Sequence, residues 1–370
     1  MPKPAKQLHH MKIMLKSTIF VILLLSNSIA VDAIELNFAC LVKDPDINLS
    51  YQGECQNGLA HGKGLAQGND EYQGEFVAGL PQGQGIYRWR SGDRYEGEWY
   101  AGEMTGLGRY TWAKSKNVYF GNWNQGKKDG QGTLEFAQGG TYVGKWKDDL
   151  PDGRGSRFWS QGHRYVGQWR NGVPHGEGKL RLLNGEEYEG GFVNAIRQGY
   201  GVLTLVNGDR YQGDWVSGVF EGEGTYIYHD GQVYQGQWQR GVPHGRGMLS
   251  FANGEIYWGD FNKGVREGYG EIQFSRLDRY RGEWQDDQFS GQGVYEFAEG
   301  GKFEGGFEKG LFHGDGRVSL DSLNISMSAR WVAGEQLAER AADAAAIDGI
   351  LEQDKLQKVS QPTESAEPSF

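Results

Sequence analysis

The chain has 370 residues, of which 60 are glycine and 13% are aromatic, and its formal net charge at pH 7 is -10. This acidic balance disfavours nucleic acid and anionic lipid as main partners, because both attract surfaces rich in Lys and Arg. Glycine-rich composition also occurs in disordered linkers, but here the glycines recur at fixed distances from aromatic residues, which low-complexity sequence does not show. The composition therefore indicates an ordered protein built from repeats.

Residues 1–33 have the pattern of a secretory signal peptide. Four lysines precede an apolar run at residues 19–25, and small residues suited to cleavage follow at Ala30 and Ala33. The run is shorter than the roughly 20 apolar residues that a membrane-spanning helix needs. We therefore expect the protein to be periplasmic or secreted. The alternative is a retained segment that anchors the N-terminus in a membrane.

Residues 34–50 form a predicted N-terminal cap, and they include one of only two cysteines in the chain. Cys40 lies before the first repeat and Cys55 lies inside it, fifteen residues later. In an oxidising compartment such a pair predicts a disulfide that closes the first edge of the repeat array. The alternative is two free thiols. Acylation of Cys40 is disfavoured because residues 37–39 make a poor lipidation signal.

A repeat of 23 residues fills residues 51–326, and we number its positions from an opening aromatic at position 0. A fixed period of this length is typical of a linear array of identical units. Large aromatics at positions 0 and 4 alternate with polar residues, which predicts a half-buried strand. The predicted core aromatics are Tyr95, Trp99, Tyr119, Trp123, Tyr142, Trp146, Tyr165, Trp169, Tyr211, Trp215, Tyr234, Trp238, Tyr280 and Trp284.

A second strand is predicted around positions 15 and 17, where apolar residues again share one face, as Tyr110 and Trp112 do. Glycines at positions 7, 11 and 13 are interpreted as the loop between the two strands. Asn-Gly pairs such as Asn184-Gly185 mark the turns between repeats. Each repeat is thus a predicted β-hairpin.

This pattern resembles the membrane occupation and recognition nexus (MORN) repeat. The residues that carry the likeness are residues 95–99, which read Tyr-Glu-Gly-Glu-Trp, with Gly102, Gly106 and Gly108. The resemblance implies an all-β fold: an elongated, single-layer antiparallel sheet of about twelve stacked hairpins. It also implies a role in scaffolding, oligomerisation or membrane contact, with no catalytic residues in the repeat itself. Residues 327–334 are interpreted as a degenerate last copy that keeps Trp331.

After the repeats, the composition changes to one rich in Ala, Glu and Gln. Apolar residues from Leu337 to Leu351 recur at spacings of three and four, which predicts a short C-terminal amphipathic helix over residues 335–359. Its simplest role is to cover the last open strand edge, and the alternative is to bind a partner helix. Residues 360–370 are polar and predicted to be disordered.

Nothing in the sequence indicates an active site, a metal site or a cofactor. Four histidines fall at repeat position 10, just before a glycine, and we interpret them as turn residues: His61, His175, His244 and His313. Carboxylates recur at position 3 and two residues before the opening aromatic, where we interpret them as solvent-facing acids. Catalysis needs one unique constellation, whereas these acids are periodic. We therefore expect no catalytic residues, no cofactor and no enzyme activity.

Two classes of function remain. The first is an extracytoplasmic scaffold that binds a protein partner or a second copy of itself. The second is a surface that binds polysaccharide or membrane lipid through exposed aromatics. Four residues that break the polar face are the candidate contact positions: Phe120, Phe158, Ile227 and Trp258.

Overall fold

The computed structural model describes residues 40–320 and 324–337. These residues form a single open antiparallel sheet of 26 strands and contain no helix. Each strand pairs with the strands before and after it in the sequence. The sequence prediction of an all-β, single-layer antiparallel sheet is therefore confirmed for this part of the chain. No described segment has the helical length and hydropathy needed to cross a bilayer.

The strands come in hairpins, mostly with a first strand of seven residues and a second of nine. They are β1 (Ser50–Gln56), β2 (Leu59–Gln67), β3 (Glu71–Val77), β4 (Leu80–Arg88), β5 (Arg94–Tyr100), β6 (Glu103–Thr111), β7 (Val118–Asn124), β8 (Lys127–Glu135), β9 (Gly140–Lys147), β10 (Leu150–Trp159), β11 (Arg164–Arg170), β12 (Val173–Arg181), β13 (Glu187–Val193), β14 (Ile196–Thr204), β15 (Arg210–Val216), β16 (Val219–Ile227), β17 (Val233–Gln239), β18 (Val242–Ser250), β19 (Ile256–Asn262), β20 (Val265–Gln273), β21 (Arg279–Gln285), β22 (Gln288–Glu296), β23 (Lys302–Glu308), β24 (Leu311–Leu320), β25 (Ile325–Val332) and β26 (Glu335–Leu337).

The glycines at positions 11 and 13 lie inside the second strand, so their assignment to a loop between the strands is wrong. The hairpin turn is only two residues long, as at Ala101 and Gly102, whose φ angles of 49° and 86° suit a type I′ turn. Gly106 then has a φ of 55° at an irregularity in the pairing of β5 with β6, which is typical of a bulge. A side chain at Gly108 would overlap the ring of Tyr95.

The core is a continuous column of aromatic rings on one face of the sheet. All fourteen aromatics named from the sequence are buried. The Tyr119 ring meets Trp123 of its own repeat edge to face at 5.1 Å and Trp146 of the next repeat at 5.3 Å. Such pairs contribute about 0.5–1.5 kcal/mol each beyond the area that they bury. The rings of successive repeats thus cover one another, and this face is closed without a second layer.

The N-terminal segment closes the first end of this column. Val42 and Ile47 are buried, and the backbone N–H of Leu41 donates to the carbonyl of Gly58 at 2.9 Å. The predicted disulfide is present: Cys40 and Cys55 are bonded, with their Cα atoms 5.7 Å apart. Cys55 takes the place of the Trp or Phe found in the other repeats, so the disulfide attaches this segment where a large ring is missing.

At the other end the predicted helix is wrong at its first three residues. Glu335–Leu337 forms β26, which pairs with β25 through Val332, Trp331 and Arg330. The reason is the turn at Ala333 and Gly334, with φ angles of 50° and 83°, which repeats the hairpin geometry of the array. Strand pairing therefore outweighs the local helical spacing here. The rest of the predicted helix, residues 338–359, and the predicted tail, residues 360–370, lie outside the described residues.

Removing the disulfide should destabilise the first hairpin. Closing a loop of fifteen residues stabilises a fold by about 3 kcal/mol in the chain-entropy model. We expect Cys40→Ala/Cys55→Ala to increase amide exchange in β1 and β2 while the central strands keep their protection. Hydrogen exchange with mass spectrometry measures this. A reductant should reproduce the effect in the native chain and change nothing in the variant; equal protection in both proteins would contradict the prediction.

Substituting Ala195 by Gly should stabilise the array. Ala195 occupies the second turn position with a φ of 67°, where most repeats have glycine. Left-handed backbone costs an ordinary residue about 1–2 kcal/mol, and part of this gain is offset by the extra chain entropy of glycine. We expect Ala195→Gly to raise the denaturation midpoint and the matched change Gly218→Ala to lower it. Midpoints that move in the same direction would contradict this interpretation.

Candidate interaction surface

Where an aspartate lies two residues before the opening aromatic, it holds the turn between repeats. Asp93 accepts hydrogen bonds from the Tyr110 hydroxyl at 3.3 Å and from the backbone N–H of Ala113 at 2.8 Å. Asp209 accepts from Tyr226 at 2.8 Å and from the N–H of His229 at 2.7 Å. These acids therefore have structural partners, and their description as solvent-facing is wrong.

The carboxylates at repeat position 3 stabilise the bulge of the second strand. Glu98 accepts a hydrogen bond from the backbone N–H of Leu107 at 3.1 Å, and Glu283 does the same for Gln292 at 3.0 Å. Each side chain thereby satisfies an N–H that the irregular pairing leaves without a ladder partner. The periodic acids are used to fix the backbone, which leaves them poorly suited to acid–base chemistry.

The four histidines at position 10 lie within the second strands of their hairpins, so their assignment to turns is wrong. They are found in β2, β12, β18 and β24. Within residues 40–320 and 324–337, no group of three or more His, Cys, Asp or Glu side chains is arranged to hold a metal ion.

Cationic side chains pack on the aromatic face where the apolar pattern is broken. Arg157 stands at a position that other repeats fill with an apolar residue, and its guanidinium lies 3.6 Å from the centre of the Phe136 ring. Arg266 lies 4.4 Å from the ring centre of Trp284 and also pairs with Asp287 at 2.8 Å. Cations over ring faces are stabilising. The aromatic column is therefore covered by cations at these points.

The four candidate contact residues lie on the opposite, outer face of the sheet. Their exposed fractions are 51% for Phe120, 49% for Phe158, 37% for Ile227 and 42% for Trp258. They do not form one patch, because they belong to β7, β10, β16 and β19. Phe120 and Phe158 share one region, whereas the other two stand apart.

Sequence reasoning missed the residues that join Phe120 and Phe158. Thr133 pairs with both Phe120 and Val143, and Ser156 pairs with both Val143 and Val166. These residues therefore form one row across β7 to β11, in which Val143 is 49% and Val166 is 41% exposed. The sequence carried a signal at repeat position 1, where three consecutive repeats have Phe, Val and Val. Eight other repeats have a polar or charged residue at this position: Gln52, Gln73, Glu96, Glu189, Gln212, Gln235, Arg281 and Glu304.

This apolar row lies in the most basic part of an acidic chain. Residues 103–181 contain thirteen Lys and Arg but only seven Asp and Glu. Four cations on the outer face flank the row and form no ion pair with any described residue: Arg109, Lys145, Arg154 and Arg164. We call these four cations, together with Leu107, Phe120, Val143, Phe158 and Val166, the basic apolar surface.

A separate shallow groove surrounds Trp258. It has a volume of about 420 Å³, and its lining includes Met248, Gln235, Glu223 and Arg246. It combines one exposed indole ring with polar and charged side chains and is open to solvent.

Comparison with known proteins gives one strong match. The MORN repeat family model matches eleven segments: residues 51–70, 72–94, 95–115, 119–141, 142–164, 165–186, 188–210, 211–233, 234–256, 257–279 and 280–302. No curated protein sequence matches the chain significantly.

Similar solved structures are distant. The TCP10 domain of Danio rerio CPAP is 16% identical, with a TM-score of 0.29 over 52% of this chain and 89% of that chain. The SAS-4 TCP domain of Drosophila melanogaster, in complex with a proline-rich motif of Ana2, is 15% identical, with a TM-score of 0.28 over 42% and 84%. A streptogramin B lyase is 13% identical, with a TM-score of 0.13 over 68% and 87%. Likeness at this level carries no information about function.

The turn acids make stability depend on pH. Burial opposes ionisation of Asp209, but hydrogen bonds from His229, Tyr226 and Asn207 outweigh it and lower the pKa of the carboxyl below its usual 3.8. A lowered pKa gives stability that is fully present above pH 3.8 and lost as the pH falls through the folded value. We expect Asp209→Asn to lower the urea midpoint at neutral pH, by an amount corresponding to about 1–3 kcal/mol.

This difference between the native chain and Asp209→Asn should shrink below pH 3.8. Asp315→Asn is the control, because Asp315 is exposed and makes no hydrogen bond or ion pair with a described residue. An Asp209→Asn effect of equal size at acid and neutral pH would contradict the assignment.

Proposed function

This chain belongs to the MORN repeat family, and we propose that it is a non-catalytic scaffold that binds a protein partner or a second copy of itself. The observation that supports this most directly is the basic apolar surface. It places five exposed apolar side chains on one side of the sheet, together with four cations that pair with no carboxylate among the described residues. Exposed apolar groups gathered in one region favour contact with another macromolecule.

A role without catalysis is supported by how the polar residues are used. The periodic carboxylates bond to backbone N–H groups, as Glu98 and Asp93 do, and the aromatic column is closed by packing. An enzyme needs a unique group of residues in a cleft, whereas the polar groups described above repeat along the array.

A location outside the cytoplasm is part of this proposal. The signal-like residues 1–33 favour export, and the Cys40–Cys55 disulfide is typical of oxidising compartments. A retained N-terminal anchor is the alternative. The mass of the chain recovered from cells distinguishes them, because cleavage after Ala30 or Ala33 would remove the segment.

Polysaccharide binding is a second candidate function, favoured by the groove around Trp258. An exposed indole flanked by Glu223, Gln235 and Arg246 is suited to stacking on a sugar ring. Retention of the native chain on polysaccharide, lost in Trp258→Ala but kept in Phe120→Ala, would support it. Membrane lipid is less favoured because the chain is acidic overall.

Deleting whole repeats should weaken partner binding without abolishing folding. Removing residues 142–164 or residues 211–233 keeps the stacking register, since each deletion is one unit of the period. We expect the first deletion to reduce affinity strongly, because it removes Val143 and Phe158, and the second to reduce it slightly. Capture of a stoichiometric partner by the mature chain, followed by titration of the deletion variants, measures this.

Point changes in periodic polar residues serve as controls. Asp214→Asn and His244→Ala should keep the partner affinity within a small factor. If either abolished function while the fold and stability remained intact, a localised active site would be present and the scaffold proposal would be wrong.

A further inference from the structure

We propose that the basic apolar surface binds the acidic segment 338–354 of a second copy of this chain, so that two chains associate reciprocally. This inference rests on the proposed scaffold function and specifies its contact. Each chain contributes both the surface and the segment, so the arrangement is symmetric.

The surface has the spacing and charge of a binding site for an acidic, partly apolar segment. Phe120, Val143 and Val166 stand two strands apart in turn, and strands are about 4.8 Å apart, so these side chains recur about every 10 Å. Phe158 lies on the strand between Val143 and Val166, two residues from the member of the row on that strand. The four flanking cations form no ion pair with any described residue, and Glu96, which stands cross-strand from Arg109, is paired with Arg94 instead. The cations are therefore available to an acidic ligand.

Segment 338–354 has complementary chemistry. It contains five carboxylates and a single cation, Arg340: the carboxylates are Glu339, Asp343, Asp348, Glu352 and Asp354. Its larger apolar residues are Ile347, Ile350 and Leu351. If the segment binds as the helix that its spacing favours, residues seven apart, such as Ala344 and Leu351, lie about 10.5 Å apart. That distance is close to the repeat of the apolar row.

The length of chain assigns the contact to a second copy. Fifteen strand steps separate β11 from β26, which is about 70 Å along the sheet. The ten residues from 338 to Ile347 extend at most about 35 Å beyond the end of β26. The segment is therefore too short to follow the sheet back to Val166 of its own chain, whereas a neighbouring chain can present the same surface to it.

The test uses the full mature chain and two sets of substitutions. The surface variant combines Phe120→Gln, Val143→Gln and Val166→Gln, which places at these positions the residue found there in four other repeats. The segment variant combines Glu339→Gln, Asp343→Asn, Asp348→Asn, Glu352→Gln and Asp354→Asn. Trp258→Gln is the matched control, because it makes the same kind of change at repeat position 1 outside the surface.

We expect analytical ultracentrifugation to show a concentration-dependent dimer for the native chain and for Trp258→Gln. Each multiple variant should raise the dimer dissociation constant about tenfold or more, as loss of central contacts does. An equimolar mixture of the two variants should recover part of the association, because the mixed dimer keeps one intact contact of the two. Added salt should weaken the native dimer.

A monomeric native chain, or variants that associate as tightly as the native chain, would overturn the inference. So would a mixture that associates no better than either variant alone. The scaffold proposal would survive each of these results if the mature chain still captured a stoichiometric protein partner. Failure to capture any other protein, with an intact dimer, would instead contradict only the form of the scaffold proposal in which the partner is a different protein.

Discussion

The packing of a tyrosine ring over two glycines is the contact on which the whole array depends. In the hairpins from β1 to β24 the glycine at position 2 faces the glycine at position 13, as Gly97 faces Gly108 beneath the ring of Tyr95. Phe303 replaces the tyrosine in the last of these hairpins. The Tyr95 hydroxyl donates to the carbonyl of Glu98 at 3.0 Å and lies 3.2 Å from that of Thr105. The tyrosine hydroxyl thus holds its own ring in place and satisfies backbone carbonyls beside the bulge. A Cβ at either glycine would overlap the tyrosine side chain.

From this contact it follows that a single sheet can be stable without a second layer. A flat tyrosine leaves room above the glycines for the tryptophan of the next repeat, as Trp123 packs on Tyr95 at 5.5 Å while its indole N–H donates to the Gly108 carbonyl at 3.2 Å. The aromatic rings of each repeat are therefore buried by those of the next repeat along the sheet, and no second layer is needed to cover them. Only the ends of the column need separate closure, and at the first end the disulfide-linked segment supplies Val42 and Ile47.

The repeat length and the aromatic alternation were enough to predict the strands and the hairpins, and the disulfide was predicted from the positions of the two cysteines after an export signal. The glycines of the second strand were misplaced because a positive φ is required equally by a loop and by a bulge such as that at Gly106. The strand at Glu335–Leu337 was missed because its pairing partner, β25, outweighs local helical spacing. Val143 and Val166 were missed because a single exposed valine is common; only the comparison of position 1 in consecutive repeats, together with the strand register, shows that they are neighbours.

The outer face is where this architecture permits specialisation. Positions 0, 2, 4 and 13 are constrained by the ring and glycine contacts, whereas position 1 meets only its cross-strand neighbours and solvent. Strand propensity alone does not explain phenylalanine and valine at position 1. Threonine, which stands cross-strand from position 1 at Thr133 and Thr225, also favours strands and exposes less apolar area. Exposed apolar residues and cations that pair with no described carboxylate coincide between β6 and β11, although neither is required by the fold. A binding role accounts for both departures together.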